Sequence, residues 1–314
     1  MDRLRFLLRR VGRFAVSLFA LFALTFLLVH FVPGDPVRAS LGLLAPQELV
    51  EARRLELGLD RPLPEQFARH ATALARGDLG MSLSVRRPVS EVIAERLPAT
   101  LALAGGAMLI VVVAGTGLGL AAAAVGAGGR RPGADMAFNA TSGLLTSTPE
   151  FVTAVALTSL FAVALSWAPV AGRGGAASYV LPTLALALGP AAALARVVRT
   201  EGLRVLEEDY MRAARARRLS AWRLYAVHAL PNCLTAALTV SGLILGGLVA
   251  GTVLVENVFA WPGLGSAIVT AITQKDYPLT QGVILVLGAL VLFINFGVDV
   301  LITWLDPRSA LARH

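Results

Sequence analysis

Long uncharged apolar runs alternate with short charged stretches along most of the chain. Lysine and arginine are absent between Arg96 and Arg130, between Arg131 and Arg173, and between Arg223 and Lys275. These gaps are long enough for membrane spans of about 20 apolar residues each. The pattern predicts an all-α polytopic membrane protein with six spans, at 11–32, 100–126, 136–165, 180–198, 234–254 and 283–305.

Turn signals and polar segments divide these runs. Pro149 and Glu150 interrupt the third run, and a Trp-Pro-Gly turn within 255–282 precedes a short surface or re-entrant helix. The segment 33–98 is polar, and Pro46 and Pro64 are each placed to open a helix in it. We expect a small external domain there, which either contacts an external partner or serves as a solvated spacer. The predicted domain limits are therefore 1–32, 33–98 and 99–314.

Composition agrees with a membrane protein. The chain is 56% hydrophobic and 15% charged, whereas soluble domains carry roughly a quarter charged residues. The net charge of +8 does not favour nucleic-acid binding, because the basic residues lie at the ends of apolar runs instead of clustering with aromatic residues. Five arginines lie before or at the start of the first run, so the positive-inside rule with six spans predicts that both termini are cytoplasmic.

The stretch 207–231 is the most strongly charged segment between two predicted spans. Three acids open it and five arginines follow, an order that suits the dipole of a short basic helix with Asp209 as its N-cap. Several residues are available to contact an apolar surface, namely Tyr210, Ala213, Ala214, Leu219 and Trp222. Charge alone equally allows this helix to lie on anionic lipid.

The sequence RAARARRLSAWRLYAVHALPN, at 212–232, resembles the EAA loop by which permease subunits of binding-protein-dependent ABC importers dock onto their ATPases. The PGDP at 33–36, the WPGLG at 261–265 and the DPR at 306–308 resemble the same family in the same order. Over essentially its whole length the chain is similar to B-type subunits of the dipeptide, oligopeptide and nickel branch. The resemblance implies the type I ABC importer permease fold, with a helical external domain between spans one and two, in a bacterial inner membrane.

The resemblance also implies an assembly and a coupling loop. The implied partners are a homologous second permease, two ATPase subunits and an extracytoplasmic binding protein. ATP and Mg²⁺ would be bound by the ATPase subunits, because Lys275 is the only lysine of this chain and lies in no GxxxxGK[ST] motif. The implied coupling residues are Asp209, Tyr210, Arg212, Ala213, Ala214, Arg215, Arg218, Leu219, Trp222, Leu230 and Pro231.

Arg218 departs from the family pattern, which usually has glycine at this turn. If the residue has a positive φ, a side chain there costs about 1 kcal/mol. We expect the fold to absorb this cost.

Polar residues inside membrane spans are costly and are candidates for function. The candidates for a translocation path are Asn139, Glu150, Glu256, Asn257, Asn295 and Asp299. For Asp135, Glu256 and Asp299 the alternative is a position at the depth of the membrane interface, where water is a sufficient partner.

Other functions are less consistent with the sequence. A secondary transporter would require inverted halves with matching broken helices, and none is visible. An intramembrane hydrolase would need Ser241 or Ser266 to act with His228, but no GxSxG motif is present. The four histidines are scattered and predict no metal site. For an importer, short peptides are the first choice of solute, and metal chelates such as nickel complexes or glutathione-like solutes are the alternatives.

Overall fold

The computed structural model describes residues 2–31, 36–41, 45–127 and 131–305. Helices dominate these ranges, which confirms the all-α fold. The α-helices are α1 (Asp2–Phe31), α2 (Pro36–Leu41), α3 (Gln47–Leu57), α4 (Leu63–Ala75), α5 (Val89–Gly126), α6 (Pro132–Ser147), α7 (Glu150–Leu157), α8 (Ala176–Glu207), α9 (Asp209–Ala216), α10 (Leu230–Val258), α11 (Leu264–Thr273) and α12 (Tyr277–Leu305). Two π-helical turns, Thr158–Ala164 and Arg223–Ala229, follow α7 and precede α10.

Five of these helices are long and apolar enough to cross a membrane: α1, α5, α8, α10 and α12. The sixth predicted span is the pair formed by α6 and the helix Glu150–Ala164, which are bent by 101° at Pro149. Pro149 lacks an N–H and has an extended ψ of 144°, so the helical ladder stops before it and starts again after it. The predicted interruption at Pro149-Glu150 is confirmed.

Several helices extend beyond the apolar runs. α5 begins at Val89 instead of near Thr100, and α8 continues to Glu207. Polar residues at a helix end are compatible with helical geometry, so hydropathy locates the span but not the end of the helix. The short helices expected in 33–98 and 255–282 are present as α3, α4 and α11.

The chain forms two compact units. The first contains Met1–Thr100 and Pro262–Phe293, and the second contains Leu101–Trp261 and Ile294–His314. This division does not test the limits 33–98 of the external domain, which stay a prediction.

In the first unit, α4 packs on α1 through aromatic side chains. The ring of Phe67 lies edge-on to Phe26 at 5.3 Å between centroids, and the His70 ring stacks on Phe22 at 5.4 Å. Such contacts bury large apolar area. They fix α4 on the apolar surface of α1.

A buried carboxylate joins the loop before α5 to the start of α12 in the same unit. Asp276 is 0% exposed, and its Oδ2 accepts hydrogen bonds from Ser82 Oγ at 2.5 Å, Ser84 Oγ at 2.6 Å and the Ser84 N–H at 2.9 Å. Its Oδ1 accepts from the Leu279 N–H at 3.2 Å. Burial raises the pKa of Asp276, but the hydrogen bonds from Ser82 and Ser84 outweigh burial and hold that pKa below its ordinary value.

In the second unit, α5 and α8 approach closely at small residues. A Cβ on Gly119 would lie 2.5 Å from the carbonyl oxygen of Ala195, and a Cβ on Gly115 would lie 3.0 Å from that of Ala191. Glycine therefore allows the two backbones to come together, as is common for helices in membranes. Buried side chains of α5, α8 and α10 form the core of this unit.

Candidate functional site

The predicted coupling stretch is a helix-turn-helix connection between two spans. α8 ends at Glu207, α9 spans Asp209–Ala216, and the π-helical turn Arg223–Ala229 leads directly into α10. The short basic helix expected from the charges is therefore present. We call residues 207–231 the coupling loop.

The N-cap of α9 is Glu208 and not Asp209, and no side chain caps this helix. Glu208 has the extended ψ of 150° that an N-cap adopts, so Asp209 falls in the first turn. Its carboxylate there lies 3.4 Å from the Arg212 guanidinium. The sequence prediction was wrong by one residue, because no side-chain cap fixes the start of this helix and the backbone of Glu208 already turns into it.

The turn after α9 has the left-handed backbone that the family usually assigns to glycine. Arg218 has a φ of 51°, and its N–H donates to the carbonyl of Arg215 at 2.9 Å. A side chain in this conformation costs about 1 kcal/mol. The turn is thus formed with arginine in place of glycine.

One side of α9 faces the protein's own core. Met211 is 0% exposed and Ala214 is 8% exposed, and both lie in the hydrophobic core of the second unit. Leu219 packs against the same core. A spacing of three residues places Met211 and Ala214 on one helix face. Ala214 therefore contacts the protein's own core, and the half-buried Leu219 packs against it. The role of both residues in coupling stays a prediction.

Other apolar residues of the coupling loop point outward. Trp222 is 76% exposed, Val227 is 55% exposed and Tyr210 is 44% exposed. Ala213 is exposed as well. Val227 was not predicted, although it is an apolar residue within a basic segment and five positions after Trp222. Tyr210, Trp222 and Val227 are called the exposed apolar residues.

The arginines of the loop divide into two groups. Arg212 Nε donates to the carbonyl of Glu207 at 3.2 Å, and Arg215 donates to the carbonyls of Leu206 and Met211. The last carbonyls of a helix have no partner within it, so these two arginines satisfy the end of α8 and hold α9 against it. The side chains of Arg217, Arg218 and Arg223 are exposed and present positive charge to the surroundings.

A hydrogen bond joins α9 to the first turn of α10. Asn232 Nδ2 donates to Tyr210 Oη at 2.9 Å and to the carbonyl of His228 at 2.8 Å. Asn232 lies one residue beyond the predicted stretch and was not singled out from the sequence. Its two N–H groups connect the outer helix, the π-helical turn and the membrane-spanning helix.

Leu230 and Pro231 do not interrupt the helix. The Leu230 N–H bonds to the carbonyl of Tyr225, five residues back, and α10 continues without a break. Proline removes one N–H and its ring collides with the carbonyl four residues earlier, and a widened π turn relieves this conflict. The coupling loop is therefore continuous with a membrane-spanning helix.

The Asn232 bridge leads to a testable expectation. If the loop couples an ATPase to transport, as the family resemblance implies, Tyr210→Phe and Asn232→Ala should each lower transport per ATP hydrolysed. The double variant should be no worse than the more affected single one, because both remove the same bond. Uptake and ATP hydrolysis measured on the same proteoliposomes give this ratio. Tyr225→Phe is the control, and additive losses in the double variant would contradict a shared bond.

The predicted path residues lie on four helices: Asn139 on α6, Glu150 on α7, Glu256 and Asn257 on α10, and Asn295 and Asp299 on α12. Asn139 and Asn257 are exposed, and Asn295 and Asp299 are half-buried. Their role in translocation stays a prediction.

For two acids, the structure contradicts the interpretation that water is their only polar partner. Glu256 is 0% exposed, so it is enclosed by protein. Asp135 forms an ion pair with Arg199 at 2.7 Å, and the Arg199 guanidinium also lies over the Phe138 ring at 5.4 Å. The pair joins α6 to α8. Protein groups therefore provide the partners in both places.

Comparisons with known proteins cover nearly the whole chain. Residues 115–310 match the family model described as binding-protein-dependent transport system inner membrane component, and residues 3–104 match the model of its N-terminal part. A Brucella suis protein with the provisional name of peptide transport system permease protein is 40% identical over 310 residues, covering 96% of this chain and 98% of the relative. The glutathione transport system permease protein GsiC of Escherichia coli K12 is 38% identical over 304 residues, covering 97% and 98%.

A solved structure supports the fold. Inward-facing MetNI methionine ABC transporter aligns with a TM-score of 0.56 at 20% identity, over 69% of this chain and 97% of that one. The six-span arrangement, the helical fold and the matched families agree. The chain therefore belongs to the family of binding-protein-dependent transport system inner membrane components, and it is a permease subunit with the fold of type I ABC importers.

Proposed function

We propose that this protein is the permease subunit of an ATP-driven importer of short peptides. It would pair with a second, homologous permease, and two ATPase subunits would bind and hydrolyse ATP with Mg²⁺. An extracytoplasmic binding protein would deliver the solute. The names of the relatives from Brucella suis and Escherichia coli support a peptide or a peptide-like solute.

The observation that carries the proposal is the construction of the coupling loop. Its inner side is bonded to α8 through Arg215 and to α10 through Tyr210 and Asn232. Its outer side exposes Trp222 and three arginines. A short helix fixed at both ends to membrane helices moves with them as one body, which is what a lever between an ATPase and a transport path requires.

The exposed side chains suit a protein partner. Tryptophan and arginine are the residues most enriched among strongly contributing interface positions. An amphipathic helix that only rested on lipid would need its apolar face turned toward the membrane, whereas the inner face of α9, with Met211 and Ala214, is occupied by the protein's own core. We therefore favour an ATPase over lipid as the occupant of the outer side.

The segment 33–98 would contact the binding protein. α3 and α4 present apolar side chains to the surroundings, with Leu55 63% exposed, Leu49 51% exposed and Leu63 49% exposed. Exposed leucines among charged residues are consistent with a moderately polar interface. The alternative role as a solvated spacer predicts that substituting these leucines by serine leaves the affinity for the binding protein unchanged.

Uptake by proteoliposomes that contain the two permease subunits and the two ATPase subunits tests the function. Labelled tri-alanine should accumulate only with ATP and a loaded binding protein, and should do so faster than glutathione or a nickel-histidine chelate. Faster uptake of glutathione or of the chelate would replace peptides as the solute class. Accumulation driven by an ion gradient without ATP would contradict the proposed mechanism altogether.

A further inference from the structure

Glu150 occupies an unusual position in the second unit. It is the first residue of α7, directly after the 101° break that separates α6 from α7. No charged residue other than Glu150 lies between Met136 and Gly172, and the side chain is half-buried. A carboxylate is therefore held at an interruption of a membrane-spanning segment.

The surroundings of Glu150 provide room but no counter-charge. Its Oε2 lies against the backbone of Gly251 on α10, and a Cβ at that position would overlap the oxygen. Asp135 pairs with Arg199, and Glu256 and Asp299 also have interaction partners. Among the residues that the structure describes, Glu150 makes neither a hydrogen bond nor an ion pair through its side chain.

A carboxylate without a cationic partner in an apolar environment gains free energy when a cation binds beside it. The N-terminus of α7 offers only partial positive charge, equivalent to about half an elementary charge. Short peptides carry an ammonium group at the N-terminus, because the α-amino pKa is about 7.7–8.0. This group matches the carboxylate in charge and in its capacity to donate hydrogen bonds.

We propose that Glu150 is a recognition site for a primary ammonium group of the transported solute. Gly251 creates the space in which the carboxylate lies beside α10, and the break before α7 makes the carboxylate accessible between two helical segments. This inference rests on the proposed function, since it assigns a chemical class to the solute of the same transporter. It requires the carboxylate to be ionised when the solute is bound.

Binding of two probes to the detergent-solubilised transporter complex tests the site, with the binding protein omitted. Labelled tri-alanine carries the ammonium group, and N-acetyl-tri-alanine lacks it. The wild-type complex should bind tri-alanine at least about tenfold more tightly, as one well-placed charge pair of about 1.4 kcal/mol provides. Glu150→Gln should bind the two probes equally.

Two glycines on α10 provide a second test of the site and its matched control. Gly251→Ala should displace the carboxylate and reduce the preference for tri-alanine as Glu150→Gln does. Gly247→Ala should leave the preference unchanged, because no atom lies within 4 Å of a Cβ at that position. Thermal midpoints of all three variants show whether the complex is intact.

The outcomes separate this inference from the function on which it rests. If wild-type proteoliposomes accumulate tri-alanine but the complex binds neither probe, or binds both equally, the ammonium site is wrong and the importer stands. The same holds if Glu150→Gln retains the wild-type preference. If wild-type proteoliposomes accumulate no peptide, the solute class is wrong. The ammonium site is wrong as well if the complex then binds both probes equally or binds neither.

Discussion

Trp222→Asp is expected to abolish the association of the ATPase subunits with the permease and, with it, stimulation of ATP hydrolysis by the binding protein. Trp222 is the most exposed of the exposed apolar residues, at 76%. Loss of a central tryptophan from an interface costs about 2 kcal/mol or more, which lowers affinity roughly 30-fold, and a carboxylate in its place adds a charge that must be desolvated. Co-purification of the ATPase with the tagged permease measures the effect.

Trp167 offers a matched control for this experiment. It is 73% exposed and precedes α8, so it is equally accessible but lies outside the coupling loop. Trp167→Asp should leave co-purification of the ATPase at the wild-type level. Equal losses in both variants would indicate a general effect of charge on folding or insertion, and the assignment of the coupling loop would then fail.

Asp276→Asn is expected to destabilise the first unit by about 3 kcal/mol. The ionised carboxylate accepts from Ser82, from two groups of Ser84 and from Leu279, and hydrogen bonds to charged groups contribute about 1.5–3 kcal/mol each. Asparagine keeps one acceptor oxygen but replaces the other with a donor that faces other donors. The thermal midpoint of the purified protein should fall clearly below that of the wild type.

The contribution of Asp276 should also depend on pH. Its pKa in the folded protein is lower than the ordinary value, so the stabilisation is complete above the unfolded pKa of about 3.9 and is lost as the pH falls through the folded pKa. The wild type and Asp276→Asn should therefore differ most near neutral pH and converge in acid. Asp78→Asn is the control, since the Asp78 carboxylate is exposed and accepts one bond, from the Gly80 N–H. A difference that stays constant down to strongly acidic pH would contradict the role of the carboxylate charge.

Much of the fold could be predicted because membrane spans depend on local composition. A run of apolar residues is long enough to span or it is not. Pro149 gave a local signal for the break before α7, although a proline alone does not decide this, since Pro98 and Pro182 lie inside helices. The ends of helices could not be predicted in the same way. Glu207 and Val89 are compatible with helix or with turn, and only the contacts of the folded chain decide between these.

In the coupling loop, too, local sequence predicted some features, and others depend on contacts of the folded chain. The charges located the basic helix, and the family pattern located the turn at Arg218, which has the expected positive φ. The sequence could not tell which side of α9 is buried, because Ala213 and Ala214 are identical residues and their exposure depends on where the core lies. Asn232 was missed for a related reason, since its partner Tyr210 is 22 positions away.

Asp276 is a further case in which the role depends on a distant partner. The sequence places an acid before the last span, but its donors Ser82 and Ser84 come from a loop nearly 200 residues earlier. No spacing pattern signals such a contact. The structure alone identifies this acid as a link between two parts of the first unit.

Photo-crosslinking from position 222 tests the central claim most directly. Benzoyl-phenylalanine would replace Trp222 in the assembled transporter, and in a second preparation it would replace Trp167. We expect a covalent adduct between position 222 and the ATPase subunit, with no ATPase adduct from position 167. Adducts from position 222 with lipid alone would contradict the account, because the coupling loop would then be a basic segment on the membrane surface.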